Sequence, residues 1–492
     1  MKRIIISVLA LSACLTPLTV PLMVQPSWGQ SQNAQVQEVE RLIQQASKQQ
    51  QQGQPQQAIE TWQQILAMAR QFKQRQGEAI ALTAIGFNYD SISQPQEALK
   101  YYNQALPIRR EVGDRRGEAA TLSNIGGVYN RIGQPQEALK YYNQALPIRR
   151  EVGDRAGEAA TLNNIGLVYD SISQPQEALK YFNQALPITR SVGERRGEAT
   201  TLNNIGLVYA SIGQPQEALK YFNQALPIRR EVGDRAGEAT TLSNIGVVYN
   251  SISQPQEALK YFNQALPITR SVGDRRGEAS TLTNIGAAYH SIGQPQEALK
   301  YYNQALPMTR EVGDRRREAA TLTNIGRVYA SISQQQEALK YFNQALPIMR
   351  SVGDRSVEAV TLSNIGLAYN NISQPQEALK YFNQALPIMR SVGERRGEAA
   401  TLNNIGAVYN SISQPQEALK YYNQALPITR SVGERRGEAV TLNNIGGVYN
   451  SISQPQEALK YYNQALVIAR EIGDRTLEAT ILDKIKAVNN RE

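Results

Sequence analysis

The sequence predicts an all-α protein, a right-handed superhelix (α-solenoid) of about 11 helix pairs followed by a C-terminal capping helix. Three observations predict it. A 40-residue segment recurs ten times over 77–476 without insertions or deletions, and a fixed period of this size is typical of stacked repeats. Each copy contains two apolar series at helical spacing. The last segment, 477–492, restarts the first series and then places polar residues where the copies have apolar or small ones.

One copy, 117–156, shows why each copy is predicted to form two helices. In its first half the apolar and small residues recur at steps of three and four, which places them on one side of a helix: Leu122, Ile125, Gly126, Tyr129 and Ile132. Its second half has a similar series: Ala138, Leu139, Tyr142, Ala145 and Leu146. We expect Gly126 to let the two helices approach closely, and each copy to be stable only when stacked on its neighbours.

Turn residues mark the predicted helix ends. Gly133, which is Ser in most other copies, precedes Pro135, and proline suits the first turn of a helix. Gly153 is predicted to be the C′ residue after the second helix, and Asp154 the N-cap of the next one. Pro147 and its eight equivalents lie late in the second helix. Because an interior proline removes a backbone hydrogen bond, they predict a kink or a local break.

Residues 1–29 are predicted to be a signal peptide. Lys2 and Arg3 precede a short apolar run, as in secretory signals. Small residues at Ser27 and Gly29 suit cleavage after Gly29. On this interpretation the protein is exported to a periplasmic, lumenal or extracellular compartment, and the mature chain has no cysteine.

Two other interpretations of this N-terminus stay open. Cys14 ends the segment Leu11-Ser12-Ala13-Cys14, which resembles a bacterial lipobox, and lipidation there would anchor the chain to the outer face of a membrane. An uncleaved anchor over 4–24 is disfavoured by Pro17 and Pro21. All three interpretations place the bulk of the chain outside the cytoplasm.

Two segments separate the signal from the ten copies. A short linker is predicted over 30–36. A divergent helix pair is predicted over 37–76, where Gly53-Gln54-Pro55 matches the turn between the two helices of a copy.

The last segment, 477–492, is predicted to be a capping helix. Lys486 stands where Gly126 would be, and Asn489 stands where Tyr129 would be. A repeat array needs a polar outer face at its end, so we expect this helix to cap the array and the chain to end there by design.

The copies resemble the tetratricopeptide (TPR) repeat. Leu122-x-x-Ile125-Gly126-x-x-Tyr129 is followed by Ala138-x-x-x-Tyr142-x-x-Ala145, although Leu replaces the usual Trp and the period exceeds the usual value of about 34. The longer period is similar to that of kinesin light chains and spindle-orientation adaptors. The residue sequence of the copies is similar to that of bacterial TPR arrays. Those arrays often carry a CHAT domain, which this sequence lacks. The resemblance implies a superhelix whose first helices line a concave, protein-binding groove.

Composition argues against catalytic and metal sites. The chain has one His and one Cys, and Cys14 lies in the predicted signal peptide. This composition nearly excludes His/Cys metal sites, Cys nucleophiles and Ser–His–Asp triads. No glycine-rich phosphate loop is found, so no enzymatic activity and no cofactor are expected. The net charge is +9, yet Arg150 and Arg155 recur beside Glu118 and Asp154. This pattern predicts exposed ion pairs and disfavours a nucleic-acid partner.

Differences among the copies are concentrated at four positions of the first helix, those of residues 120, 123, 127 and 130. At 100° per residue these lie within about 80° of one another, opposite the apolar face. Drift on an exposed face would also explain them, but we favour contact with a ligand. The predicted groove residues are Leu167, Leu207, Val247, Arg327 and Leu367 at the position of 127, and Asn130, Asp170, Asn250 and His290 at the position of 130.

An asparagine recurs beside this stripe in nine copies: Asn124, Asn164, Asn204, Asn244, Asn284, Asn324, Asn364, Asn404 and Asn444. A carboxamide is both donor and acceptor, which suits the backbone of an extended peptide. The same Asn could instead bond a neighbouring copy and stiffen the stack. The basic residues that clamp a terminal carboxylate in chaperone-binding TPRs are absent, which disfavours such a ligand.

The sequence therefore predicts an exported, non-catalytic adaptor that binds extended segments of partner proteins in its groove. Self-association is the alternative, because near-identical copies could also stack between chains into a structural array of the cell envelope. Membrane contact is expected only through a lipid on Cys14.

Overall fold

A computed structural model describes residues 30–490, with side chains from residue 36 onward. Over that range the chain forms 23 α-helices and no β-strand. The helices form 11 pairs followed by one further helix, which confirms the predicted all-α class. None of them combines the length and hydrophobicity that a membrane span requires. The predicted signal peptide, the anchor interpretation and Cys14 fall on 1–29, outside the described residues.

The helices are numbered in chain order. The divergent pair is α1 (Gln30–Gln51) and α2 (Pro55–Gln71). The first helices of the ten copies are α3 (Arg75–Ser91), α5 (Arg115–Arg131), α7 (Arg155–Ser171), α9 (Arg195–Ser211), α11 (Arg235–Ser251), α13 (Arg275–Ser291), α15 (Arg315–Ser331), α17 (Arg355–Asn371), α19 (Arg395–Ser411) and α21 (Arg435–Ser451). The second helices are α4 (Pro95–Glu111), α6 (Pro135–Glu151), α8 (Pro175–Ser191), α10 (Pro215–Glu231), α12 (Pro255–Ser271), α14 (Pro295–Glu311), α16 (Gln335–Val352), α18 (Pro375–Ser391), α20 (Pro415–Ser431) and α22 (Pro455–Glu471). The further helix is α23 (Arg475–Asn489).

The boundary between copies ends one helix and caps the next. Gly153 follows α6 with φ +65°, and its N–H donates to the Arg150 carbonyl at 3.2 Å. The N–H of Asp154 donates to the Arg149 carbonyl at 2.9 Å, so two carbonyls at the end of α6 are satisfied as in a Schellman motif. The Asp154 carboxylate accepts from the Gly157 N–H at 3.0 Å. Both predicted roles are confirmed.

The turn inside each copy also requires a left-handed residue, and most copies place serine there. Seven serines have φ between 57° and 63°: Ser93, Ser173, Ser253, Ser333, Ser373, Ser413 and Ser453. The equivalent glycines, Gly133, Gly213 and Gly293, have φ 73°. Because a Cβ disfavours this conformation by about 1–2 kcal/mol, each serine turn is less stable than its glycine counterpart.

We expect Ser373→Gly to raise the free energy of unfolding by about 0.5–1 kcal/mol, since glycine adopts the same φ without the Cβ penalty. The control is Ser411→Gly at the end of α19, where the serine is helical and its Oγ donates to the Val408 carbonyl at 2.7 Å. That variant should be destabilised. Urea denaturation followed by circular dichroism measures both, and an unchanged or lower midpoint for Ser373→Gly would contradict the expectation.

The second helices continue through their late prolines, so the predicted local break is wrong, whereas the alternative of a kink stays a prediction. α6 runs without interruption across Pro147 to its end at Glu151. Pro147 is exposed, and so is Asn143, whose carbonyl would have accepted the missing N–H. Because water can bond that carbonyl, the helix loses one hydrogen bond without burying an unsatisfied group.

The two ends of the described chain differ from the repeats. Residues 30–36, predicted to be a linker, belong to α1, which begins at Gln30. This segment contains neither Gly nor Pro, so its polar composition is compatible with a helix. At the other end, α23 buries Ile481 and Val488 in a cluster with α22. Lys486 and Asn489 are exposed, and the outer face of α23 is therefore polar.

The helices form two compact units, the first ending at Asn244 and the second beginning at Ile245. In both units, each hydrophobic cluster draws its residues from successive copies. The cluster around Tyr142 of α6 also contains residues of α7 and α8 in the first unit. The cluster around Phe382 of α18 is built in the same way from α18, α19 and α20 in the second. Stacking between copies therefore stabilises each unit.

Within a copy, a glycine and an aromatic ring bring the two helices together. A Cβ built on Gly126 would lie 2.9 Å from Cε1 of Tyr142, which confirms the predicted close approach. Tyr129 is half-buried and stacks on Tyr141 of the same copy, with ring centroids 5.4 Å apart. The helix pair is thus fixed by one small residue and three aromatic rings.

The ion pairs at the copy boundary are not all exposed, contrary to prediction. Glu118 is 4% exposed and accepts from Arg110 and Arg115 at 2.8 and 2.5 Å. The equivalent glutamates of the other nine copies are buried in the same way. The prediction holds for the Lys140–Glu137 pair, which is exposed. Charge repetition in the sequence does not reveal that one carboxylate per copy is packed between the ends of two helices.

Candidate functional site

The variable face is the surface formed by the residues at the positions of 127 and 130 in the first helices. At the position of 127, five apolar side chains are between 36% and 55% exposed: Phe87, Leu167, Leu207, Val247 and Leu367. Arg327 at this position is also exposed. These side chains are not used to pack the core, so they are available to a ligand.

The position of 130 is polar in eight of the ten copies and mostly half-buried. Asp90 pairs with Arg131 at 2.6 Å, and burial raises the pKa of Asp90 in spite of this arginine. Burial also raises the pKa of Asp170. The pKa of His290 is lowered, first by burial and then by the charge of Arg327. The variable face therefore carries carboxylates in the first unit and a neutral imidazole near a guanidinium in the second.

The position of residue 123, predicted to face the groove, is used between copies instead. Thr323 Oγ1 lies 3.3 Å from Thr361 Oγ1 of the next copy, and both side chains are buried. The side chain at this position therefore bonds the next copy. The threonine opposite it recurs in nine of the ten copies, so it does not explain the variation. The remaining variable position, that of residue 120, is mixed, since Val360 is 39% exposed whereas Ile80 is 8% exposed.

The asparagine ladder takes the stacking role in two copies. Asn204 Nδ2 donates to Asn163 Oδ1 of the preceding copy at 3.2 Å. Asn244 Nδ2 donates to Asn203 Oδ1 at 3.1 Å. In both cases the preceding copy has Asn at the position of 123. Asn364 differs, because its Nδ2 is buried with no hydrogen-bond partner among the described residues. Ligand binding stays a prediction for every residue of the ladder: Asn124, Asn164, Asn204, Asn244, Asn284, Asn324, Asn364, Asn404 and Asn444.

A cavity of about 300 Å³ opens on the variable face of the second unit. Helices α13, α15, α16 and α17 supply its walls, which include His290, Arg327, Ala330, Gln335, Asn364 and Leu367. Four of the predicted groove residues thus meet at one place. Among the residues that the structure describes, no group of three His, Cys, Asp or Glu side chains could hold a metal ion.

Comparison with protein families identifies the repeat. The model of the tetratricopeptide repeat matches residues 44–111, 117–191, 197–271, 277–351 and 357–431, and a second tetratricopeptide repeat model matches 439–472. The chain belongs to the tetratricopeptide repeat family. The matches include the divergent pair and confirm the resemblance seen in the sequence. No CHAT domain is found.

Solved structures with a TM-score above 0.5 share the fold of this TPR protein. The apo quorum sensor NprR from B. thuringiensis is 17% identical, with 73% of this chain and 99% of that chain covered and a TM-score of 0.55. A Rap protein complexed with Competence and Sporulation Factor is 14% identical, with 73% and 99% covered and a TM-score of 0.51. The TPR-like repeats of a Podospora anserina protein described as a kinesin light chain are 20% identical, with 40% and 96% covered and a TM-score of 0.35. No curated protein matches the sequence.

One residue that the TPR fold brings into the cavity, Gln335, was not among the groove residues predicted from the sequence. Gln335 stands where the other nine copies have proline. Its Nε2 donates to the Ala330 carbonyl at 3.2 Å, while its Oε1 is buried without a partner among the described residues. The signal was present in the sequence, but it lies at the start of a second helix, outside the stripe where variation predicts ligand contact.

Proposed function

We propose that this TPR protein is an exported, non-catalytic scaffold that binds extended segments of partner proteins along its variable face. The observation that carries the proposal is the set of exposed apolar side chains at the position of 127. Stacking does not require them, because Gly127, Ala287 and Ala407 occupy the same position in other copies. Export rests on the signal-like sequence before Gln30.

The chemistry of the face suits an extended ligand. Leu167 and Leu207 lie at the same position of α7 and α9 and offer apolar contacts at 36% and 40% exposure. Half-buried polar groups such as Asp170 lie one helical turn away and can accept hydrogen bonds from a peptide backbone. The similar Rap protein is complexed with Competence and Sporulation Factor. That property belongs to Rap, and the support for binding here comes from the exposed face itself.

The test is selection from a phage library of random 12-residue peptides, followed by calorimetry with the selected peptide. We expect the double variant Leu167→Ala, Leu207→Ala to bind at least about tenfold more weakly, because each truncation removes apolar area from the contact. The fold should be retained, since alanine occupies this position at Ala287 and Ala407.

The control variant is Val192→Ala, Val392→Ala. Both valines are 41% exposed but lie at the ends of second helices, so their loss should leave the affinity unchanged. Equal losses in the two double variants, or the absence of any selected peptide, would contradict the proposal. Oligomers that grow with concentration in light scattering, together with a failed selection, would favour the structural array instead.

A further inference from the structure

The copy 317–356 differs from the other copies in the residues that line the cavity of the second unit. Arg327 is the one cation among the ten residues at its position. Ala330 stands where most copies have Asn or Asp, and Gln335 replaces a proline. All three residues line the cavity. One copy therefore combines a new charge, a shortened side chain and a new carboxamide at a single place.

In the part of the chain that the structure describes, Arg327 makes no ion pair and no hydrogen bond, whereas Arg131, beside the variable face, pairs with Asp90 of that face at 2.6 Å. The other titratable side chain lining the cavity is His290, which the arginine charge disfavours as a cation. The guanidinium of Arg327 is thus available to pair with an anionic group of a ligand.

Two polar atoms of the cavity walls also lack partners among the described residues. Asn364 Nδ2 is a donor and Gln335 Oε1 is an acceptor, and both atoms are buried. Buried polar atoms are nearly always hydrogen-bonded in folded proteins. A peptide unit offers the complementary pair, since its carbonyl accepts and its N–H donates. Water can satisfy the same atoms in the absence of a ligand.

We infer that this cavity recognises an acidic residue, Asp or Glu, within an extended segment of a partner protein. The carboxylate pairs with Arg327, and the backbone of the segment bonds Asn364 and Gln335. The inference rests on the proposed function and adds the chemical class of the residue that sets the register of the bound segment. An Arg–carboxylate pair is directional and supplies specificity as well as affinity.

His290 provides the measurement, because it is the one histidine of the chain and lines the cavity. The full chain, labelled with ¹³C at histidine, is titrated with two peptides blocked at both ends, Ala-Ala-Glu-Ala-Ala and Ala-Ala-Gln-Ala-Ala. We expect the Glu peptide to shift the imidazole resonance and to bind at least about tenfold more tightly than the Gln peptide. It should also raise the pKa of His290, because a carboxylate beside Arg327 offsets the arginine charge.

Two variants separate a local site from an effect of net charge. Arg327→Leu installs the residue of Leu167 and Leu207 and should abolish the preference for Glu. Arg317→Gly removes one charge from the same helix, restores the glycine of most copies, and should retain the preference. Arg317 is bound to Asp314 at 2.5 Å.

Each result is decisive for the acidic preference. Equal binding of the Glu and Gln peptides, or a preference that survives Arg327→Leu, would overturn it while leaving groove binding in place. Tighter binding of a peptide whose only carboxylate is its C-terminus would also overturn it. Failure of the proposed function is separate, since it would appear as a failed selection from the phage library.

Discussion

The Glu358→Gln variant should unfold more readily than the wild-type chain, by about 1.5–3 kcal/mol. The Glu358 side chain is 4% exposed, and its two oxygens accept from Arg350 and Arg355 at 2.9 and 2.6 Å. A neutral carboxamide leaves both arginines without their counter-ion and places an NH₂ group against one of them. The loss stays below that of a fully buried pair, because both arginines are about half-exposed and water can solvate them.

The matched control is Glu377→Gln, the same substitution on an exposed pair. Glu377 bonds Lys380 at 3.1 Å and its side chain is 43% exposed, so the loss should be about 0–0.5 kcal/mol. Urea denaturation of the wild-type protein, Glu358→Gln and Glu377→Gln measures the loss of stability in each variant. Equal midpoints for the two variants would show that the buried glutamates, Glu118 and its equivalents in the other copies, do not contribute to stacking.

The Gly446→Ala variant should also be destabilised, by up to about 2 kcal/mol. A Cβ at Gly446 would lie 2.7 Å from Cδ1 of Tyr462 and 3.2 Å from the carbonyl oxygen of Ala458. Tyr462 is 1% exposed, so the ring cannot move aside without disturbing the core. Overpacking costs about 1–3 kcal/mol, of which the better helix propensity of alanine offsets up to about 1 kcal/mol.

Its neighbour Gly447 is the control. A Cβ there would meet the hydroxyl of Tyr462 at 3.8 Å, which is an ordinary contact, and Ala287 and Ala407 occupy the same position in other copies. Gly447→Ala should therefore gain stability from helix propensity alone. Thermal unfolding compares the two variants, and an increase in Tm for both would contradict the close packing of glycine on the ring.

The helices and their ends were predictable from the sequence because local rules decide them. Asp154 caps the helix that follows it because its carboxylate can reach the N–H three residues ahead. Gly153 ends one because a residue without Cβ adopts positive φ readily. The local break predicted at Pro147 was wrong because the energy of an interior proline depends on whether the carbonyl that lost its partner is solvated. That prediction did not take into account that Asn143 lies on the polar face of its helix.

The candidate site was predictable only in part, because it depends on contacts between copies. The exposed residues at the position of 127 were predicted from their variation. Asn204 and Asn244 look the same as Asn364 in sequence. Asn204 and Asn244 bond an Asn at the position of 123 in the preceding copy, whereas the copy before Asn364 has Thr323 there. An Asn at that position is not sufficient, because Asn403 donates to Thr441 instead. Burial of Glu118 likewise depends on Arg110 across the turn. Helix periodicity does not predict how these two side chains lie relative to each other.

Binding of extended segments along the variable face can be tested directly by photo-crosslinking. The peptide selected from the phage library is synthesised with photo-leucine at each position in turn, and the crosslinked residues are identified by mass spectrometry. We expect crosslinks at the positions of 127 and 130 in the first helices, such as Leu207 and His290. Crosslinks confined to exposed residues of the second helices, such as Lys140, would contradict it.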